Sequence, residues 1–131
     1  MNRPRRDSFA KALARLQEAL AEPETTMNRD ASIQRFEFSI ELAWKSIQEF
    51  LRDEGFDCRT PKACLREAFR QDLIDDELGW IAMLDDRNLA SHTYDDTFAH
   101  DLYGRLGRHL TLLQALRSRL RSPGPDGDRA G

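Results

Sequence analysis

The sequence of 131 residues is 40% hydrophobic and 33% charged, with a formal net charge of −3 at neutral pH. A chain of this length supports one hydrophobic core, and its composition is that of a globular protein rather than a disordered chain. The slightly negative charge argues against general coating of nucleic acid, so any contact with a polynucleotide must rest on a local basic patch.

The N-terminal residues MNRPRRDS are basic like the start of a signal peptide, but no apolar segment of the required length follows them. Uncharged stretches elsewhere are far shorter than the roughly 20 residues needed to cross a bilayer. We therefore expect a cytoplasmic protein without a membrane contact.

The first two predicted elements are amphipathic helices over residues 8–21 and about 30–54. Asp7 or Ser8 is a suitable N-cap for the first, and Pro23 follows its end; Gly55 is a suitable C-terminal cap for the second. The first apolar stripe is Phe9, Leu13, Leu16 and Leu20. The second is Ile33, Phe36, Ile40, Ala43, Trp44, Ile47 and Leu51, and we expect Phe36, Trp44 and Phe50 in the core.

A third helix is predicted from Thr60, as N-cap, and Pro61, at the first helical position, to about residue 71. Its inward residues are Cys64, Ala68 and Phe69. Cys58 and Cys64 have the spacing of neither a zinc pair nor a CxxC redox motif, and cytoplasmic thiols stay reduced. We therefore expect both cysteines to be reduced structural filler.

Asp75 and Asp76 favour the start of a fourth helix through the helix dipole. We expect its inward residues to be Leu78, Ile81 and Leu84 or Met83. Asp95, Asp96 or Thr97 can cap a long fifth helix that reaches about residue 121. Its stripe is Phe98, Leu102, Leu106, Leu110, Leu113, Leu116 and Leu120.

These patterns predict an all-α fold, an antiparallel bundle of about five helices over residues 1–121. Residues 122–131 have too little apolar content to pack, and we expect a disordered tail. Phe38 and Trp80 fall outside the stripes and can mark a second apolar face, hence a homodimer interface.

The segment DDRNLASHTYDD, residues 85–96, joins the fourth and fifth helices. Histidine can give and take protons near neutral pH, and arginine donates to phosphate oxygens, so His92 and Arg87 suit phosphodiester cleavage. Asn88 can orient the histidine or the substrate. Because residues five apart lie about 140° apart on a helix, Arg87 and His92 meet only if the helix ends or distorts between them, or if the arginine bends across. RNA cleavage needs an acid and a base, and a symmetric dimer would supply two histidines.

Structural interpretations remain open for the same residues. Arg87 and His92 can simply contact the last carbonyls of the helix, and Arg87 can pair with the flanking aspartates in a solvated charge cluster. Those aspartates are Asp85, Asp86, Asp95 and Asp96. The arginines of the fifth helix can meet RNA or an acidic partner, although a solvated face is their commonest role. They are Arg105, Arg108, Arg117, Arg119 and Arg121.

No metal or cofactor is expected, because the histidines lack Cys or His partners at metal-ligand spacing. They are His92, His100 and His109.

The segment RNLASHTY, residues 87–94, resembles the R-x4-H-x-Y signature of HEPN domains. Together with FEFSIELAWKSIQEFL, TPKACLREAFRQDLI and W-x6-RN-x3-HTYD, it is similar to the nucleotidyltransferase substrate-binding-like branch of that superfamily, over residues 8–120. The resemblance implies a homodimeric helical bundle with a four-helix up-and-down core and the motif in a cleft at the dimer interface.

The resemblance also implies a partner, a small MNT-type nucleotidyltransferase, and a toxin–antitoxin pair. This chain would be the toxin, a metal-independent endoribonuclease in which Arg87 and His92 are catalytic and Asn88 supports them, with RNA and not DNA as substrate. Tyr94 matches the tyrosine to which the partner adds AMP, which silences the nuclease. The alternatives are a non-catalytic subunit that binds substrate or nucleotide for the nucleotidyltransferase, and a purely structural helical partner.

Overall fold

The structure, a computed structural model, describes residues 3–92 and 95–121, and the side chains of 4–91 and 95–120. Within these ranges it contains five α-helices and no strand, which confirms the all-α prediction. The helices are α1 (Arg3–Ala21), α2 (Thr26–Asp53), α3 (Pro61–Arg70), α4 (Glu77–Leu89) and α5 (Asp96–Arg121). The predicted tail, 122–131, lies outside the described residues.

Side-chain caps mark where α2, α3 and α4 begin. The Thr25 hydroxyl accepts a hydrogen bond from the Asn28 amide at 3.0 Å, and α2 therefore begins earlier than residue 30. As predicted, Thr60 caps α3 and Pro61 follows it. The Asp76 carboxylate accepts from the Gly79 amide at 2.9 Å and caps α4.

The predicted caps at the start of α1 and at the end of α2 have different outcomes. Helix α1 begins at Arg3, so the expectation that Asp7 or Ser8 caps it is wrong; a proline at the second position costs no intrahelical hydrogen bond. At the end of α2, Gly55 has a φ of +94° and the Phe56 amide bonds back to the Leu51 carbonyl at 2.8 Å. The predicted glycine cap is therefore confirmed.

Contacts near the helix ends show how the bundle is arranged. Asn28, near the start of α2, donates to the Ala19 carbonyl near the end of α1 at 2.9 Å, so these helices are antiparallel. Arg6 of α1 donates to the Leu120 carbonyl at the end of α5 at 3.2 Å, so α1 and α5 are antiparallel as well. It follows that α2 and α5 begin at the same end of the bundle.

Helix α4 packs closely along α5. A Cβ atom at Gly79 would lie 2.9 Å from Leu112 Cδ1, so glycine permits the close approach at the start of α4. Towards the other end of α4, Asp86 bonds to Arg105 and His109 of α5. The two contacts hold α4 antiparallel to α5 and fix the direction in which its C-terminal turn points.

The core contains most of the predicted stripes. Buried members from α1, α2 and α5 are Phe9, Leu13, Leu16, Ile33, Phe36, Ile40, Ala43, Ile47, Leu51, Leu102, Leu106, Leu110, Leu113, Leu116 and Leu120. Trp44 and Phe50 pack against this cluster. The stripes were wrong at Leu78, which is 82% exposed, and at Phe69, which is 41% exposed. Trp80, proposed for a dimer face, is only 2% exposed, because α4 turns its indole inward in place of Leu78.

Cys58 and Cys64 form a disulfide, which corrects the expectation of reduced thiols. Both residues are buried, and their Cα atoms lie 5.2 Å apart because the chain turns at Thr60 into the first turn of α3. The Gln48 side chain donates to the Cys58 carbonyl at 2.7 Å and ties this turn to α2. Separately, among the described residues no helix combines the length and apolar character that a bilayer crossing requires.

Candidate functional site

The helix that carries the motif ends inside it. Helix α4 stops at Leu89, and a 3₁₀ turn, Ala90–His92, follows; the Ala90 amide bonds to the Arg87 carbonyl. An end of the helix between Arg87 and His92, which is one of the conditions for the two to meet, is therefore present. The His92 side chain, Thr93 and Tyr94 lie outside the described residues, so the predicted meeting of Arg87 with His92 remains a prediction.

Arg87 lies in the last turn of α4, just before this 3₁₀ turn, and two side chains hold it there. Its Nη2 donates to the Glu41 carboxylate on α2, and its Nη1 donates to Asn88 Oδ1 at 3.2 Å. The Arg87 side chain nevertheless keeps 31% of its surface exposed, and Asn88 is exposed beside it. A guanidinium fixed by two acceptors and open to water on another side can still donate to an incoming anion.

Two glutamates one turn apart on α2 respond to Arg87 in different ways. Burial would raise the pKa of Glu41, but hydrogen bonding and charge from Arg87, together with Trp44 and Lys45, outweigh it, so this pKa is below its usual value. For Glu37 burial is the larger effect and raises the pKa, against the attraction of Arg87. Lys45 Nζ adds a contact of 3.5 Å with Glu41. Glu41 is therefore the ionised partner of Arg87.

Asp86, the residue before Arg87, points into the protein. Arg105 of α5 donates through Nε at 2.8 Å and Nη2 at 2.9 Å, and His109 Nε2 lies 2.7 Å from Asp86 Oδ2. Asp86 is only 6% exposed and His109 3% exposed, with the imidazole stacked on Phe36 at 5.3 Å between ring centres. The interpretation of Asp86 as a solvated partner of Arg87 is wrong, because α5 supplies it with three hydrogen bonds.

The protonation states follow from this packing. Burial would raise the pKa of Asp86, but the hydrogen bonds from Arg105 and His109 outweigh burial and lower it. Burial lowers the pKa of His109 and outweighs the opposite effect of Asp86. Neutral His109 therefore donates its Nε2 proton to an ionised Asp86, and its buried Nδ1 has no hydrogen-bond partner among the described residues.

The other aspartates of the motif have separate roles. Asp95 caps α5, since its carboxylate accepts from the Phe98 amide at 3.1 Å. Asp96 accepts from Arg29 Nη2 at 3.1 Å, and Arg29 is a buried residue of α2. Asp85 is exposed. The motif is thus anchored on both sides, by Asp86 before it and by Asp96 after it.

Sequence reasoning missed Glu41 and the partners of Asp86. A signal existed for His109, which lies in the leucine stripe of α5 three residues after Leu106 and four before Leu113; a histidine there needs a buried hydrogen-bond partner. Arg105, assigned to a solvated face, instead bonds to Asp86. Nothing in the pattern of α2 distinguished Glu41 from other surface glutamates.

Two further predictions for this region concern the basic face and metal ions. Arg119 bonds to the Leu73 carbonyl at 3.0 Å and to Asp75 at 3.1 Å, whereas Arg108 is exposed, so the arginines of α5 do not share one role. In the part of the chain that the structure describes, no group of three or more His, Cys, Asp or Glu side chains is placed to hold a metal ion.

Solved structures share this fold closely. A crystal structure of a Thermus thermophilus protein matches with a TM-score of 0.82 and 38% identity, covering 86% of this chain and 98% of that one. A Haemophilus influenzae structure, described as revealing the fold of a substrate binding domain of a nucleotidyltransferase, matches with a TM-score of 0.82 and 28% identity, over 88% and 98% of the two chains.

Sequence comparison points the same way. A Haemophilus influenzae protein named probable ribonuclease HepT is 37% identical over 97 residues, which are 67% of this chain and 66% of that relative. The family model for nucleotidyltransferase substrate binding protein like chains matches residues 5–122. The resemblance stated from the motif is confirmed: this chain belongs to the nucleotidyltransferase substrate binding protein like family.

Proposed function

We propose that this chain is a metal-independent endoribonuclease and the toxin of a toxin–antitoxin pair whose antitoxin is a small MNT-type nucleotidyltransferase. The observation that carries the proposal is the end of α4, where a partly exposed Arg87 precedes a helix break and the turn that bears His92. The name of the Haemophilus relative, probable ribonuclease HepT, supports the same activity.

In the proposed reaction, the ribose 2′-oxygen attacks the adjacent phosphorus of the RNA chain and displaces the 5′-oxygen. A base removes the 2′-hydroxyl proton, the 2′-oxygen bonds to phosphorus, and the 5′-oxygen leaves with a proton from an acid, giving a 2′,3′-cyclic phosphate and a 5′-hydroxyl. His92 is the proton carrier, because an imidazole titrates near neutral pH. Arg87 donates to the phosphoryl oxygens and stabilises the charge that develops on them.

The contacts of Arg87 suit this role. A guanidinium has five N–H donors, of which Glu41 and Asn88 engage part, so others remain for a phosphate oxygen. The Glu41 carboxylate keeps the side chain extended towards α2 before substrate binds. Asn88 supports the orientation of Arg87 through its side-chain carbonyl.

We propose that the active species is a homodimer, because each chain brings one His92 and the reaction needs both an acid and a base. Exposed apolar residues flank the Arg87–Glu41 pair: Phe38, three residues before Glu41, is 57% exposed, and Leu89, two residues after Arg87, is 41% exposed. A second copy of the chain would cover them. Light scattering should give a dimer mass for the wild type and a monomer mass for Phe38→Asp.

The antitoxin is proposed to act through Tyr94, by adding AMP to its hydroxyl group. The phosphate would put negative charge and bulk a few residues from Arg87 and His92, where it would compete with RNA. Intact mass measurement after incubation with the partner and ATP should show added AMP, and Tyr94→Phe should show none. We propose a cytoplasmic location for the pair, where reducing conditions would open the Cys58–Cys64 disulfide.

The test of the nuclease is cleavage of RNA by the purified chain in EDTA. Wild type should cut, Arg87→Ala and His92→Ala should each lose at least about 100-fold in rate, and Asn88→Ala should lose less. Arg66→Ala, which removes an exposed arginine from α3, serves as the matched control and should cut like wild type. Cleavage that survives both Arg87→Ala and His92→Ala would refute the proposal.

The second candidate is a non-catalytic subunit that binds substrate for the nucleotidyltransferase. The description of the Haemophilus structure as a substrate binding domain favours it, and so does the pairing of Arg87 with Glu41. In that case the chain would leave RNA intact, and its addition would lower the KM of the partner enzyme. A purely structural partner is disfavoured, because Arg87 and Asn88 are not buried against the core.

A further inference from the structure

The turn that carries Arg87 is the last turn of a helix, and such turns fray because their carbonyl groups lack intrahelical partners. In this chain the turn is fastened on two sides. Asp86 bonds to Arg105 and His109 of α5, and Arg87 bonds to Glu41 of α2. Rotation of the turn about the axis of α4 would break one set of contacts.

We propose that Asp86, Arg105 and His109 are positioning residues for Arg87, and that they fix its guanidinium where RNA phosphate must bind. The inference rests on the proposed nuclease function. Asp86 and His109 are buried, so their effect on the reaction must pass through the backbone of residue 87. Arg105 keeps 41% of its side chain exposed but commits Nε and Nη2 to Asp86, and its role is to hold that carboxylate.

The contacts that Arg105 and His109 make with Asp86 are specific enough to fix the position of Asp86. The Asp86 carboxylate accepts two bonds from one guanidinium and one from an imidazole, which fixes both its place and its rotation. Phe36 stacks on the imidazole and prevents His109 from following a moving Asp86. A transition state that depends on one arginine is sensitive to this placement, since an error of about 1 Å costs about 100-fold in rate.

The test compares variants at temperatures where all of them are folded. Asp86→Asn puts an amide N–H against the donors of Arg105 or His109, and kcat should fall about 10- to 100-fold while KM stays within about threefold. Asp85→Asn, at the exposed neighbouring position, is the matched control and should match wild type. A kcat for Asp86→Asn within about twofold of wild type overturns the proposal.

Two substitutions of His109 test whether its imidazole acts by holding Asp86. His109→Leu removes the donor to Asp86, whereas His109→Gln places an amide N–H close to the position of Nε2. Activity should fall in His109→Leu and return to within about threefold of wild type in His109→Gln. If both variants lose the same activity, the imidazole does not act by holding Asp86, and the inference is wrong.

A spectroscopic measurement separates this inference from the proposed function. The Nε–Hε NMR signal of Arg87, assigned by its loss in Arg87→Lys, should be single and sharp in wild type and Asp85→Asn, and broadened or shifted in Asp86→Asn. If wild type fails to cut RNA but the signal behaves in this way, the nuclease proposal fails and the positioning of Arg87 stands. An unchanged signal in Asp86→Asn overturns the positioning, whether or not RNA is cut.

Discussion

Asp86 and Arg87 are neighbours in the chain with opposite surroundings. Asp86 faces α5, is 6% exposed, and takes three hydrogen bonds from Arg105 and His109. Arg87 faces α2, is 31% exposed, and pairs with a Glu41 side chain that is 34% exposed. Both residues are charged and both are paired, yet only Asp86 and its partner His109 are shielded from water, while Arg105 is 41% exposed. The comparison shows that one turn of helix can serve packing on one side and chemistry on the other.

Because they differ in exposure, the pairings of Asp86 and Arg87 should contribute differently to the free energy of unfolding. A buried carboxylate has lost its hydration, and removing one partner of a buried ion pair typically costs about 3–5 kcal/mol. A pair that water reaches is screened and contributes about 0–1 kcal/mol. The side of the turn that faces α5 and carries Asp86, the inward side, should therefore control stability. The side that faces α2 and carries Arg87, the outward side, should be free to change for function.

The largest expected effect is that of Asp86→Ala on stability. The free energy of unfolding should fall by about 3–5 kcal/mol, because Arg105 and His109 lose a buried acceptor. Urea unfolding followed by circular dichroism gives this value. Asp85→Ala, one residue earlier and exposed, should change it by less than about 0.5 kcal/mol. Equal effects of the two variants would show that burial does not distinguish these aspartates.

The second-largest expected effect is the loss of stability on reduction of the disulfide. Cys58 and Cys64 close a short loop, six residues apart in sequence, and a constraint of this length stabilises by about 2 kcal/mol in the chain-entropy account. Reduction should therefore lower the free energy of unfolding by about half of the Asp86→Ala effect. Urea titration with and without dithiothreitol measures it, with mass spectrometry to confirm the added hydrogens; no change on reduction would contradict the prediction.

The third prediction concerns the pH dependence of the inward side. The lowered pKa of His109 means that, below about pH 6.5, the unfolded chain binds a proton that the folded chain does not, so stability falls as pH falls through that window. The imidazole faces Asp86, Arg105 and Arg108, and their effects are included in this direction. His109→Gln should show a smaller loss between about pH 7 and about pH 5.5. A wild-type slope in His109→Gln would refute the assignment.

The sequence predicted the helices better than the residues between them. Stripes of leucine and phenylalanine determine which face of α1, α2 and α5 is buried, and caps such as Thr60 and Gly55 set helix ends locally. Helix α4 was misassigned at Leu78 because an indole and a leucine compete for the inward face, and the larger side chain, Trp80, occupies it. Periodicity over a short helix does not settle that competition.

The polar contacts were harder to predict, because they join residues far apart in sequence. Helical geometry required that α4 end or distort, or that the arginine bend across, if Arg87 and His92 were to meet, and α4 does end at Leu89. The pairing of Asp86 with Arg105 and His109 depends on how α4 crosses α5, with Leu112 of α5 close to the backbone of Gly79. Sequence spacing contains no information on such a crossing, so the aspartates before the motif resembled a solvated cluster.

The smallest expected effects lie on the outward side, at the two glutamates of α2. The lowered pKa of Glu41 means that its contribution is present above the unfolded pKa of about 4.3 and is lost as pH falls through the folded value. Glu41→Gln should therefore cost less than about 1 kcal/mol at neutral pH, and the cost should vanish in acid. A loss as large as that of Asp86→Ala would show that the outward pair is not screened.

Glu37, one turn earlier, should respond with the opposite sign. Burial raises its pKa, so its charged form is less favourable in the folded protein than in the unfolded chain at neutral pH. Glu37→Gln should accordingly leave stability unchanged or raise it slightly, whereas Glu41→Gln lowers it. Paired urea titrations at about pH 7 and about pH 4 measure both. Much of the difference between the variants arises from Arg87, which bonds to Glu41 and only attracts Glu37, so it should shrink when Arg87→Ala is added to each.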